Sequence, residues 1–167
     1  MSDTQLTFSW DDVYWITEQH LPSWGDSRIT IVFAPEGRDD APLSDAEVAL
    51  VQWTVDHEAS ISEILLAAVL AEYPAMQESY GYEPKELVKY MPNVSSVAEL
   101  RQLIALQSVN VHQVSKAGCP YVGFELACRW DEEHGLGVLV HGKRVVAVGG
   151  ADTAILLWMA EEDAEKP

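Results

Sequence analysis

Between Cys119 and Trp130 the chain reads CPYVGFELACRW, and apolar side chains recur at every second residue. Val122, Phe124, Leu126, Cys128 and Trp130 share one parity; Tyr121, Gly123, Glu125, Ala127 and Arg129 share the other. A period of two is the pleat of a β-strand, whose successive side chains point to opposite faces. LGVLVH (Leu136–His141) and RVVAVGG (Arg144–Gly150) continue the pattern, joined by a tight turn at Gly142-Lys143. SVNVHQVS (Ser108–Ser115) precedes it, with a turn at Lys116-Ala117-Gly118. Four neighbouring strands with short links predict an antiparallel meander.

Upstream the period changes. QLTFSW (Gln5–Trp10) and VYWITEQ (Val13–Gln19) flank Asp11-Asp12 and read as a hairpin with aromatic cross-strand pairs. RITIVFA (Arg28–Ala34) reads as a third strand. Ser44 and Glu47 have the spacing of a capping box, which opens helical spacing over Asp45–Tyr73. That stretch predicts one long helix, or two broken near Glu58–Ser60, with Pro74 just past its end or at a kink. Lys85–Tyr90 suits one or two helical turns. Ser96-Val97-Ala98-Glu99 reads as a second box, starting a helix through about Leu106. Asp152 is placed to cap a last helix, Thr153–Ala160. Strands and helices come in groups, which predicts an α+β fold: an antiparallel β-meander sheet packed against one long and several short helices. A single domain over residues 1–167 is expected, with strands at about 5–34, helices at about 45–106, and the meander plus a helix at about 108–161.

Charge narrows the partners. Ten basic against 27 acidic residues give −17. Residues 1–84 carry 16 acidic and 2 basic side chains, a net of −14; residues 85–167 carry 11 and 8, a net of −3. Nucleic acid and anionic membrane both call for a cationic footprint, so neither is expected as a partner. A basic protein would be steered toward the N-terminal half. The longest apolar run, Ile64–Ala71, falls short of the roughly 20 residues that span a bilayer, and Met1-Ser2-Asp3-Thr4 lacks a signal-peptide pattern. A cytoplasmic setting is expected. Cys119 and Cys128, nine residues apart on one strand, point to opposite faces, so reduced thiols are expected.

Familiar catalytic motifs fail by one residue. His57-Glu58 begins an HExxH, but Ile61 stands where the second His must be. Gly135 and Gly137 begin a GxGxxG, but Val140 replaces the third glycine. No cofactor is expected and no metal-ligand motif is found. Two candidate regions remain. Asp131-Glu132-Glu133-His134 joins a strand ending at Trp130 to one starting at Leu136. It reads as a hairpin loop, with Asp131 making an Asx-turn and Gly135 taking positive φ. The alternative makes His134 a base or metal ligand beside Asp131, Glu132 or Glu133. His112 and His141, on predicted strands, could approach each other or Glu125. The second region is the hairpin, where Trp10, Asp11, Asp12, Trp15 and Trp24 are candidates for a partner-binding face, because aromatic residues dominate interface hot spots.

WDEEHGLGV (Trp130–Val138) and VGGADTA (Val148–Ala154) are the most distinctive strings. With the rest of Ser108–Ala154, with Ile64–Tyr82 and Tyr90–Ile104, and with WDDVYW (Trp10–Trp15) and LPSW (Leu21–Trp24), they make most of the chain resemble the DUF6985-type family of uncharacterised bacterial proteins. The resemblance implies a shared fold and carries over no catalytic residue. It also implies an association, since related small families occur as immunity-like companions of bacterial toxins. Three functions are therefore expected: a protein-binding module, in particular an immunity-type inhibitor of a basic partner; a small enzyme or metal-binding protein using Asp131–His134; or a structural, oligomerising module.

Overall fold

In the computed structural model, which describes residues 5–167, the strands lie side by side in the order of the chain. They are β1 (Ser9–Trp10), β2 (Trp15–His20), β3 (Arg28–Phe33), β4 (Ile104–Lys116), β5 (Cys119–Cys128), β6 (Leu136–His141) and β7 (Arg144–Gly149). All neighbours are antiparallel except β3 and β4, which run parallel from Thr30↔Ser108 to Phe33↔Val111. A parallel pair needs a long crossover. Here it contains α1 (Asp45–Asp56), α2 (Glu58–Tyr80), α3 (Pro84–Tyr90) and α4 (Val97–Arg101). The fold is α+β, with a mostly antiparallel sheet.

The two parities of β5 go to two different layers. Val122, Phe124, Leu126 and Cys128 enter the main core with Ile31 and Phe33 of β3, Val109 and Val111 of β4, Val51 of α1, and Leu65, Val69 and Tyr73 of α2. Tyr121 faces the other way, where Leu139 and Ala160 of α5 (Leu157–Ala164) make a smaller cluster. A 3-10 turn, Ala151–Ala154, crosses this second face so closely that a Cβ on Gly123 would sit 1.8 Å from the Ala154 carbonyl oxygen. The turn and α5 cover the C-terminal half of that face. Asp163 fastens α5 in place. Its buried carboxylate accepts hydrogen bonds from Tyr121 Oη (2.6 Å) and Arg144 Nη2 (2.5 Å). Arg144, opposed by burial and helped by Tyr121, holds the Asp163 carboxyl at about 2.

Several element boundaries differ from the sequence expectation. β1 is two residues rather than Gln5–Trp10: pairing with β2 ends at Ser9↔Ile16, and Leu6 drops into the core. The turn takes four residues, Asp11–Tyr14, and β2 begins at Trp15 rather than Val13. Asp11 Oδ1 accepts from the N–H groups of Val13 and Tyr14, and Asp12 takes φ 79. The long helical stretch is two helices broken at His57. Pro74 does not end the second. α2 runs on to Tyr80 and stops at Gly81, which is left-handed at φ 60. Burial of Val69 and Tyr73 offsets the missing N–H, and Gln77 is held to the Met91 carbonyl and Asn93 beyond the proline. At 23 residues, α2 is also long and apolar enough to cross a membrane by length and composition, more so than Ile64–Ala71 alone. Here its apolar stripe packs on the sheet.

The first capping box is complete, with Glu47 N–H to Ser44 Oγ and Ser44 N–H to Glu47 Oε1. Arg38, against burial and with help from Ser44, holds the Glu47 carboxyl at about 2. The second is only half made: Ser96 Oγ accepts from Glu99 N–H, while the Glu99 carboxylate takes the hydroxyls of Ser95 and Ser96. α4 ends at Arg101, short of Leu106, and β4 starts at Ile104 rather than Ser108, because Ile104 already pairs with Cys128. Asp152 does not cap a helix over Thr153–Ala160. The Ala154 carbonyl, which would continue that helix, accepts instead from His112 Nε2 (3.0 Å). The chain breaks after Ala154, and α5 begins three residues later.

His112 is fully buried, its Nδ1 has no hydrogen-bond partner among the described residues, and burial pushes its pKa below 6.5. A histidine whose folded pKa is depressed contributes stability that is complete above the unfolded value and is lost as pH falls below it. Stability should therefore decline by up to about 1.4 kcal/mol per pH unit as pH drops below 6.5. Denaturant melts across that range check this, and His112→Gln should flatten the slope.

Candidate functional site

The Asp131–His134 segment is the β5–β6 hairpin loop, and it is tied down at one end. Asp131 accepts hydrogen bonds from Tyr80 Oη (2.6 Å), the His134 N–H (2.9 Å) and His134 Nδ1 (3.1 Å). Burial raises the Asp131 pKa, but these donors lower it by more, and the net shift is downward. Gly135 takes φ 65 to close the turn. Tyr82 Oη donates to the Trp130 carbonyl, and Tyr82 stacks on Tyr80 at 5.9 Å. Of the four candidates, the structure brings together Asp131 and His134. Glu132 and Glu133 are exposed, and the His134 side chain is 71% exposed. A shallow depression of about 370 Å³ lies beside Glu132, against Leu103, Ile104 and Cys128. Among the described residues no three His, Cys, Asp or Glu are grouped to hold a metal ion.

Nor do His112, His141 and Glu125 converge by hydrogen bonding. His112 donates to Ala154, His141 Nε2 donates to the Lys116 carbonyl, and Glu125 accepts from Ser108. Cys119 and Cys128 are both free thiols, and burial pushes Cys128 up to about 11.

The five hairpin candidates fall into two groups. Trp10 and Trp15 are cross-strand partners with ring centroids 5.7 Å apart, beside the exposed Asp11 and Asp12. Trp24 lies elsewhere, in the 3-10 turn Pro22–Trp24, packed against Phe124 at 6.5 Å. Its Nε1 donates to Ser62 Oγ (2.7 Å), and the Arg101 guanidinium lies 5.2 Å above its ring. Trp24 is an anchor between α2 and the sheet.

A larger recess opens where β1 stops. Before Ser9 the segment Gln5–Phe8 runs apart from β2, and the gap forms a groove of about 1010 Å³. Gln5, Thr7 and Phe8 line one side, Ile16–His20 the other, and Val55–Ala59 at the α1–α2 junction close it. Glu18, His20, Arg28, Asp56, His57 and Glu58 bring ionisable groups to its walls. His57 is held by Nδ1 donating to the Trp53 carbonyl (2.7 Å) and by stacking on Trp53 at 4.3 Å. The buried Glu58 opens α2, where the helix dipole favours a carboxylate. It accepts from Ser23 N–H (3.3 Å), Ser23 Oγ (3.2 Å) and Ser62 Oγ (3.3 Å). The incomplete HExxH thus supplies two groove residues, which sequence reasoning passed over. The break in helical spacing near Glu58 was the one signal that pointed there.

The sheet, its two unequal cores and the edge groove define a protein of the α+β class. The chain belongs to the family described as Domain of unknown function (DUF6985), whose model matches residues 3–156. α5, with the Asp163 fastening, lies beyond the matched residues. Searches of the curated proteins and of the solved structures each found no match.

Proposed function

We propose that this chain is a cytoplasmic protein-binding module that docks a basic protein through its acidic N-terminal half, as an immunity-type inhibitor covering a cationic surface would. One observation carries the reading. Asp11, Asp12, Glu18, Asp26, Asp56 and Glu63 are exposed, and none is in an ion pair among the described residues. Arg38, one of two basic side chains in residues 1–84, is already engaged by Asp39 and Glu47. The field of this half is therefore left for a partner, where complementarity raises association rates and fixes orientation. Two free cysteines suit a reducing compartment. The enzyme or metal reading has the Asp131–His134 contact in its favour, but that pair sits at an exposed loop with two free-standing glutamates.

The test is association kinetics with purified basic proteins, beginning with the products of neighbouring genes. Binding should weaken steeply with added salt. Glu18→Lys, Asp26→Lys and Glu63→Lys together, all at exposed positions, should slow association by roughly tenfold with little change in thermal stability. Affinity that is indifferent to salt and to this triple variant would refute the proposal.

A further inference from the structure

The groove is also an unfinished place in the sheet. In the β1–β2 ladder, Asp11 N–H bonds the Tyr14 carbonyl, so Ile16, two residues on, turns its backbone groups toward β1 and Thr17 turns its own toward β3. The alternation puts the N–H and C=O of Glu18 and His20 on the β1 side, where β1 has ended. Among the described residues no backbone hydrogen bond joins Gln5–Phe8 to Thr17–His20. Among the described residues the Glu18 carbonyl is met only by a long contact from Arg28 Nη1 (3.4 Å). An unpaired edge of this kind is a template for another strand. Among the described residues nothing pairs with this edge, and beside it lies a recess of about 1010 Å³.

Resting on the recognition reading above, we propose that the occupant is an extended basic segment of the partner protein, added antiparallel or parallel to β2 at Glu18 and His20. Main-chain hydrogen bonds would supply affinity and alternate side chains specificity. Charge selects the occupant. Among the described residues Glu18 and Asp56 are in no ion pair, their carboxylates taken by Thr30 Oγ1 (2.7 Å) and Gln52 Nε2 (2.9 Å), and with Glu58 they outnumber Arg28 at the groove. Ile16, Glu18 and His20 lie on one face of the edge, and Thr17 and Gln19 on the other, toward Asp56 and His57. A strand with Lys or Arg at alternate positions therefore meets Glu18 with one set of side chains, or Asp56 with the other.

The probes are a synthetic alternating Lys-Val peptide, the same peptide N-methylated at alternate backbone amides, and an alternating Glu-Val peptide. Amide exchange and titration are followed on the full chain. The expected result is binding of the Lys-Val peptide alone, slowed exchange at Glu18 and His20, and a loss of roughly tenfold on N-methylation. Basic proteins that bind while Glu18 and His20 exchange unchanged would overturn strand addition and leave the acidic recognition surface standing. Slow exchange at both residues in the free protein would show the edge already filled, by this chain or by a second copy, and would also overturn it. Failure of every basic peptide and protein to bind would remove both readings together.

Discussion

Gly123→Ala is expected to destabilise the fold by about 3 kcal/mol, lowering the melting temperature by roughly 9 °C. The cost does not come from backbone freedom, because Gly123 is not among the glycines with positive φ. It comes from approach. The added methyl would lie 1.8 Å from the Ala154 carbonyl oxygen and 2.6 Å from its Cα, all of it backbone that cannot rotate away. The turn Ala151–Ala154 would have to lift, taking the Ala154 carbonyl away from His112 Nε2. His112 already has one unpartnered ring nitrogen and would then have two. Gly142 provides the control. Its φ is +59, but nothing lies closer to an added Cβ than Cys119 Sγ at 4.0 Å. Gly142→Ala should cost only about 1 kcal/mol. If the order of the two melting temperatures were reversed, the packing of the C-terminal turn on β5 would be wrong.

Trp130→Ala should be comparably severe, at about 4 kcal/mol. Trp130 is one of the largest fully buried side chains, packed edge-on to Tyr73 at 5.5 Å. It stands two residues past the end of β5, between the main core and the hairpin loop. Its own carbonyl is the acceptor for Tyr82 Oη. Truncation opens a cavity under α2 and loosens the loop at the same place. Denaturant melts check the cost, and Trp130→Phe should recover part of it. A loss below about 1 kcal/mol would show that the core closes over the gap and that Trp130 is not the joint between core and loop.

The meander was legible because its signal is local and redundant. Three strands in a row keep their parity, and a one-residue slip would turn Val122, Phe124 and Leu126 out of the core. Element ends were less legible, since tertiary partners decide them. Ile104 joins β4 because Cys128 lies opposite, and Ala154 leaves its helix because His112 takes its carbonyl. The parallel β3–β4 contact could not be read from residues far apart in sequence. The loop at Asp131 was visible as a loop; its tether to Tyr80, fifty-one residues away, was not. The groove had no motif to find. It exists because Leu6 is drawn into the core and pairing stops at Ser9, and because the helices break at His57. Those events involve three segments, and none carries a periodic mark of the meeting point.

The most direct test of the acidic recognition surface is chemical-shift mapping of the chain with a bound basic protein or Lys-Val peptide. The account predicts that the perturbed amides cluster at Ile16–His20 and Val55–Ala59, and that the changes fade as salt is raised. Perturbations centred instead on Asp131–His134, or on α5, and persisting at high salt would contradict it.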